Sequence, residues 1–253
     1  MPKQLLLTSH QPVYLPWLGF FHKLAVSDLF VVLDNVPYSR FQFYNRNTIN
    51  SKNGPIQLSV PVNFSNNQVQ HHKDIAVSNN RNWQKKHWIS IEQSYAKSPY
   101  FYKFSEEMRE IYHRDWTLLI DLNMTLIRFF MKQLSINTKI LMASDYNFVG
   151  NKSNLLLDMA YQLEADSFIF GKLGRDYADI EKFIESGVTP LFQDYIHPIY
   201  TQYPNKNFES YLSVLDLLSF QGPKSFSILI EDNKTRDEYL KQIYLIKKGI
   251  VRP

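Results

Sequence analysis

Short apolar runs alternate with helically spaced segments along this chain, and their order predicts the architecture. Gln4 to Thr8 reads as a buried strand that ends at the polar Ser9-His10-Gln11. Pro12 and Pro16 forbid a continuous helix there, and Trp17 to Ala25 then reads as a helix with Pro16 at its first turn. Leu29 to Leu33 is a second apolar, β-rich run, ending at Asp34. Two such runs around a short helix predict a βαβ unit and a parallel sheet.

Residues 36–80 are turn-rich, with a hairpin turn at Ser51 to Gly54 leading into a strand over 55–62. Trp83, His87, Ile91 and Tyr95 recur every four residues and predict an amphipathic helix, broken by Pro99 and followed by helices over 106–112 and 116–134. Strands are then expected over 140–143, 166–170 and 188–192. Between them lie a helix over 154–163 capped by Ser153 and another over 176–186 closed by Gly187. A last helix is expected over 212–220, and the basic tail over 234–252 reads as solvated surface. The fold class is α/β: a mainly parallel sheet with flanking helices, plus a mostly helical middle lobe. The parts are 1–80, 81–135 and 136–253, expected to form one compact domain.

Composition narrows the function classes. The chain has 253 residues, 15% of them aromatic, and no cysteine, which removes disulfides, thiolate nucleophiles and cysteine-ligated metals. The net charge of +4 comes from interspersed acidic and basic residues, too small an excess to indicate nucleic acid. Arg81, Trp83, Lys85, Lys86 and Trp88 interleave base and aromatic, but the four-residue spacing favours a core helix. His71-His72 lacks a carboxylate pair, so no metal site is expected. No segment approaches the roughly 20 apolar residues of a membrane span, and no signal peptide is visible, so the expected location is the cytoplasm.

In parallel sheets, polar residues at the carboxyl ends of strands line the ligand crevice. This rule singles out three clusters. The first is His10, Gln11, Tyr14, Trp17 and Lys23, with Asp34 after the second strand; His10 is the candidate base or oxyanion donor, assisted by Asp34. A packed, hydrogen-bonded structural histidine is the plain alternative. The second is Arg40, Asn45, Arg46 and Asn47, whose guanidinium and amide groups suit phosphate, carboxylate or sugar hydroxyls. It also fits a hairpin with one polar face. The third joins Gly174, Arg175, Asp176 and Tyr177 to Asp194, His197, Tyr200 and Gln202. Here Asp194 and His197 are the alternative acid/base pair, and Gly171 and Gly174 let a backbone approach a ligand.

These motifs resemble the WbqC-like family, small proteins found chiefly in bacterial surface-polysaccharide gene clusters. The resemblance rests on the run His10 to Leu24, with Ser27-Asp28, Leu33-Asp34, Asn45-Arg46-Asn47, Val60-Pro61-Val62, Gly174 to Tyr177, His197 to Gln202 and Leu212 to Leu218. Phe170 departs from the pattern, which places a small Ser before Gly171. The resemblance implies a transferase that attaches an acyl or amino-acid-derived group to a nucleotide-linked amino sugar, as in O-antigen synthesis. Its partners would be that small-molecule sugar and a carrier-bound acyl or aminoacyl donor, with no nucleic acid; the cofactor is unknown. A non-catalytic nucleotide-sugar or partner-binding module is one alternative, and a nucleotidyltransferase-like enzyme another. For the latter, His10 and His22 are too far apart to form a paired-histidine motif.

Overall fold

The computed structural model of the chain describes residues 4–40, 42–65, 68–80, 82–203 and 207–253, so Arg81 lies outside the described residues. The first unit is β1 (Leu6–His10), α1 (Leu18–Ala25) and β2 (Leu29–Val32). A hairpin, β3 (Arg46–Ile49) and β4 (Ile56–Ser59), follows, and β5 (Val62–Asn63) pairs with β6 (Ala76–Val77). Gly54 sits in the hairpin loop at φ +109, a backbone that favours glycine. Then come α2 (Trp83–Tyr95), α3 (Ser105–His113) and α4 (Leu119–Gln133). The chain returns to alternation with β7 (Lys139–Met142), α5 (Lys152–Gln162), β8 (Ser167–Phe170), α6 (Ile180–Glu185) and β9 (Thr189–Phe192). It ends in α7 (Val214–Gln221), α8 (Ser225–Ile230) and α9 (Arg236–Lys247).

Five strands form one wholly parallel sheet in the order β7-β2-β1-β8-β9, and the fold is α/β as the apolar runs predict. Their side chains alternate between two covered faces. Leu7, Val31, Phe168, Phe170 and Phe192 meet Leu156 and Ala160 of α5 and Phe183 of α6. On the other face Leu6, Ile169 and Leu191 meet Tyr239 and Ile243 of α9, while Phe30 and Val32 meet Phe20 and Phe21 of α1. Pro190 is tolerated because β9 is an edge strand bonded to β8 alone. Trp83, His87, Ile91 and Tyr95 are all buried, so the four-residue stripe of α2 is core. No described helix is long and apolar enough to cross a membrane.

Three local expectations are corrected. Ser153 lies inside the first turn of α5, where its hydroxyl accepts from Asp179 N at 2.8 Å instead of capping the helix. The helix expected over 176–186 is a 3-10 turn followed by the shorter α6, whose N-cap is Asp179. The basic tail is the larger miss, since it forms α9 behind a Thr235/Glu238 capping box and buries Tyr239 and Ile243 on the sheet.

Candidate functional site

The sheet order reverses direction at β1: β2 and β7 lie on one side, β8 and β9 on the other. In open parallel sheets the ligand crevice sits at such a point, outside the carboxyl ends of the strands. A cleft of about 440 Å³ opens there. It is lined by Ser9, His10 and Gln11 from the end of β1, by Trp17, Phe20 and Lys23 of α1, and by the loops that follow β8 and β9. A larger surface depression of about 640 Å³ lies at the end of α4, shares no residue with the cleft, and offers only Arg128, Lys132, Ser135, Asn137 and Thr138 as polar lining.

The loop between β1 and α1 is held rigid by partners from distant parts of the chain. Tyr14 N donates to Tyr44 O at 3.2 Å, Val214 N donates to Pro16 O at 2.9 Å, and Asn123 donates to Pro12 O at 3.3 Å. Asn47 donates its side-chain amide to Leu15 O. Leu15 needs that support, because it is fully buried at φ +45, the left-handed region that costs an L-residue about 1–2 kcal/mol. Asn45 holds Val60 O at 2.8 Å. Asn47 therefore fixes this loop and Asn45 the end of β4, and neither lines the cleft. Tyr14 is likewise core, its hydroxyl bonded to Tyr112 Oη at 2.6 Å and His87 Nδ1 at 2.8 Å.

His10 sits edge-on to Trp17 and Phe20, at ring distances of 5.6 and 5.4 Å. Its Nδ1 lies 2.8 Å from Gln11 O. A carbonyl only accepts, so Nδ1 carries the proton and Nε2 keeps its lone pair. Burial, and after it the charge of Lys23, push the imidazole down to about 3, so it is neutral at pH 7. Lys23 is only 4% exposed and donates to Ser9 O at 2.9 Å, with no carboxylate in ion-pair range among the described residues. Burial brings its ammonium down to about 8. The described lining contains two lysines, Lys23 and Lys172, and no acidic residue. The cleft thus offers a free imidazole lone pair beside an uncompensated, mostly protonated amine.

Asp34 is buried, but its carboxylate accepts from Ser144 N at 2.9 Å and from Ser144 Oγ, tying β2 to the end of β7 instead of reaching His10. The pair Asp194/His197 does not form either. Asp194 takes both arms of Arg175, at 2.7 and 2.9 Å, and that guanidinium lies 4.5 Å over the ring of Phe192. His197 donates from Nδ1 to Pro198 O at 3.0 Å and accepts from Tyr211 N at Nε2 at 3.1 Å, so neither nitrogen is free. Tyr200 and Gln202 turn away from the cleft to the buried carboxylate of Asp216, at 3.0 and 2.8 Å, where Tyr95 Oη joins them at 3.1 Å.

Gly174 lines the cleft for a packing reason. A Cβ there would stand 2.4 Å from Cβ of Phe170, so the glycine makes room for that ring. Tyr177 lines the wall, whereas Asp176, Arg40 and Arg46 are not among the lining residues. Lys172, Gln193, Tyr195 and Tyr211 also line the cleft, and sequence reasoning assigned none of them a site role. The position of Gln193 directly after β9 was the available signal. Gln193 donates to Gly19 O at 2.9 Å and to His22 Nδ1 at 2.8 Å, while His22 donates from Nε2 to Lys234 O at 3.0 Å. His22 is therefore a structural bridge. Among the described residues no group of three His, Asp or Glu side chains is arranged to hold a metal.

Fold and cleft together define an α/β protein with its crevice at the reversal of a parallel sheet. The chain belongs to the WbqC-like protein family, which matches residues 11–228 and so covers every described strand after β1 and the cleft lining except Ser9 and His10. It is 28% identical over 218 residues to the uncharacterized protein Rv1507c of Mycobacterium tuberculosis, spanning 85% of this chain and 93% of that protein. No solved structure matches the chain.

Proposed function

We propose that the protein is a cytoplasmic transferase of surface-polysaccharide synthesis, joining an acyl or amino-acid-derived group to a nucleotide-linked amino sugar. The observation that carries this reading is the neutral His10, with Nε2 unbonded, beside the uncompensated Lys23 in a cleft with aromatic walls and no acidic lining. Aromatic faces suit a base or sugar ring, and an unpaired ammonium suits a phosphate oxygen. In the transfer, the sugar amine attacks the acyl carbon and the new C–N bond forms. Its proton passes to Nε2 of His10 and on to the leaving group, whose bond to the acyl carbon breaks. A bound diphosphate offsets the charge of Lys23 and raises His10 toward a useful basicity.

A binding-only role has one observation in its favour: His10 is oriented by a backbone carbonyl, and no carboxylate stands behind it to stabilise an imidazolium. Calorimetry with a nucleotide-linked amino sugar, followed by mass-spectrometric turnover with acyl and aminoacyl donors, separates the two. Lys23→Met should weaken sugar-nucleotide binding, and His10→Ala should keep binding and lose turnover. Normal turnover by a folded His10→Ala protein would sink the catalytic assignment.

A further inference from the structure

A second polar cluster lies on the β2 side of His10, outside the cleft. The segment after β2 and the turn at His72–Asp74 are sewn together: Tyr38 N donates to Gln70 O at 2.8 Å, His72 N to Val36 O at 3.2 Å and Lys73 N to Asp34 O at 2.9 Å. His72 is 2% exposed, with its ring 4.3 Å from Tyr44 and 5.2 Å from Tyr38. Three side-chain atoms of this cluster are sealed from solvent with no partner: His72 Nε2, Tyr38 Oη and Arg46 Nε. Native interiors pair nearly all such groups, so three together mark a place where something binds.

The surrounding charge says what. Arg46 donates from Nη2 to Arg40 O at 2.8 Å, and neither guanidinium has a carboxylate partner among the described residues. Both are close enough to Tyr38 to oppose the upward push that burial gives its hydroxyl. Two unpaired guanidinium groups beside buried donors form a fork for an oxyanion. We propose that Tyr38, Arg46 and His72, with Arg40 at the mouth, form a second anion site that takes a phosphate or carboxylate group. Leu33 N donates to His10 O at 2.9 Å and Lys73 N to Asp34 O at 2.9 Å, so the turn that carries His72 is tied to the strand end beside His10. If the cleft is the transfer site, an assignment that rests on the preceding proposal, this one holds an anionic group of the second substrate. The binding itself does not depend on that reading.

Burial holds His72 neutral, at about 4, and an anion seated on its Nε2 must pull it back toward imidazolium. The test is a titration of the ring-labelled full chain with inorganic phosphate, and separately with acetate, at constant ionic strength. The His72 carbon resonance is assigned by its absence from His72→Gln. A saturable downfield shift of the attached ring proton Hε1 is expected in wild type and in Lys23→Met. Arg46→Gln should weaken the apparent Kd by at least about ten-fold, the loss of a charged hydrogen bond. Arg40→Gln, on an exposed side chain with no fold role, should weaken it as well and covers the case in which Arg46→Gln does not fold. Saturation by either anion supports the site, and the tighter of the two names the chemistry. No saturable shift would mean that water meets these groups, and would overturn the proposal. So would a shift unchanged by both arginine variants, or one abolished by Lys23→Met, which places the anion in the cleft. Failure of sugar nucleotides to bind the cleft would leave this site standing.

Discussion

Acid should unfold this protein through its interior histidines. His22, His72 and His87 are at most 7% exposed, and burial lowers each from 6.5 to about 4. A depressed folded pKa means that the unfolded chain takes up protons first, so stability is full above pH 6.5 and falls as pH drops toward 4. Asp216 works the other way. Burial raises it from 3.8 to about 6, so the folded state takes up one proton that the unfolded state does not, and stability is regained over that interval. Three histidine protons less one carboxyl proton leave two, and each is worth about 1.4 kcal/mol per pH unit. From pH 6 to 4.5 the loss is therefore about 4 kcal/mol, a large part of the roughly 5–15 kcal/mol that holds a domain together. His10 is half-buried and is left out of the sum, but it acts in the same direction.

Urea unfolding followed by tryptophan fluorescence at pH 7, 6, 5 and 4.5 reads this slope directly. His87→Gln should halve it, to about 1.4 kcal/mol per pH unit. Asp216→Asn should steepen it to about 4 kcal/mol per pH unit, because the compensating proton is gone. A flat stability between pH 6 and 4.5, or a shallower slope in Asp216→Asn, would refute the reasoning.

Two further predictions concern the loops that frame the cleft. Asn47→Ala should lower stability by about 2 kcal/mol, since the buried Leu15 carbonyl then loses its donor; a denaturation midpoint unchanged at pH 7 would count against it. Gly174→Ala should be destabilising by about 1–3 kcal/mol through its collision with Phe170, whereas Gly171→Ala, with ordinary φ and open space, should change the melting temperature little.

The five sheet strands were legible because each carries two to four apolar residues in a row bounded by polar ones, and the central strands, buried on both faces, demand such runs. Their order was not, because the pairing of β1 with β8 joins residues some 160 apart and leaves no local trace. The capping box at Thr235 and Glu238 was present in the tail, but the charges around it hid a helix that buries only Tyr239 and Ile243. Lys23 is the instructive case in the site. It follows Trp17 and Phe20 at three-residue steps, so one helix face carries all three to the cleft. The sequence places it in the first cluster, and the helical period gives the reason: it shares the face of its aromatic neighbours.

Residue type alone did not separate ligand groups from braces. Asn45, Asn47, Asp34, His22, His197, Tyr200 and Gln202 all look chemically able in sequence, and each is engaged by a backbone group or a second side chain that orders a loop. Every such bond removes a candidate from chemistry and removes a degree of freedom from the cleft wall. Among the groups left unengaged in the cleft is Nε2 of His10, on an element that the braces hold still, beside the ammonium of Lys23, which gives one bond to Ser9 O. A rigid frame around a few free groups is what the proposed transfer would require, because geometry fixed in advance need not be purchased at the moment of reaction. The polar richness of the motifs therefore argues for catalysis indirectly, through the order it imposes on the few groups it leaves free.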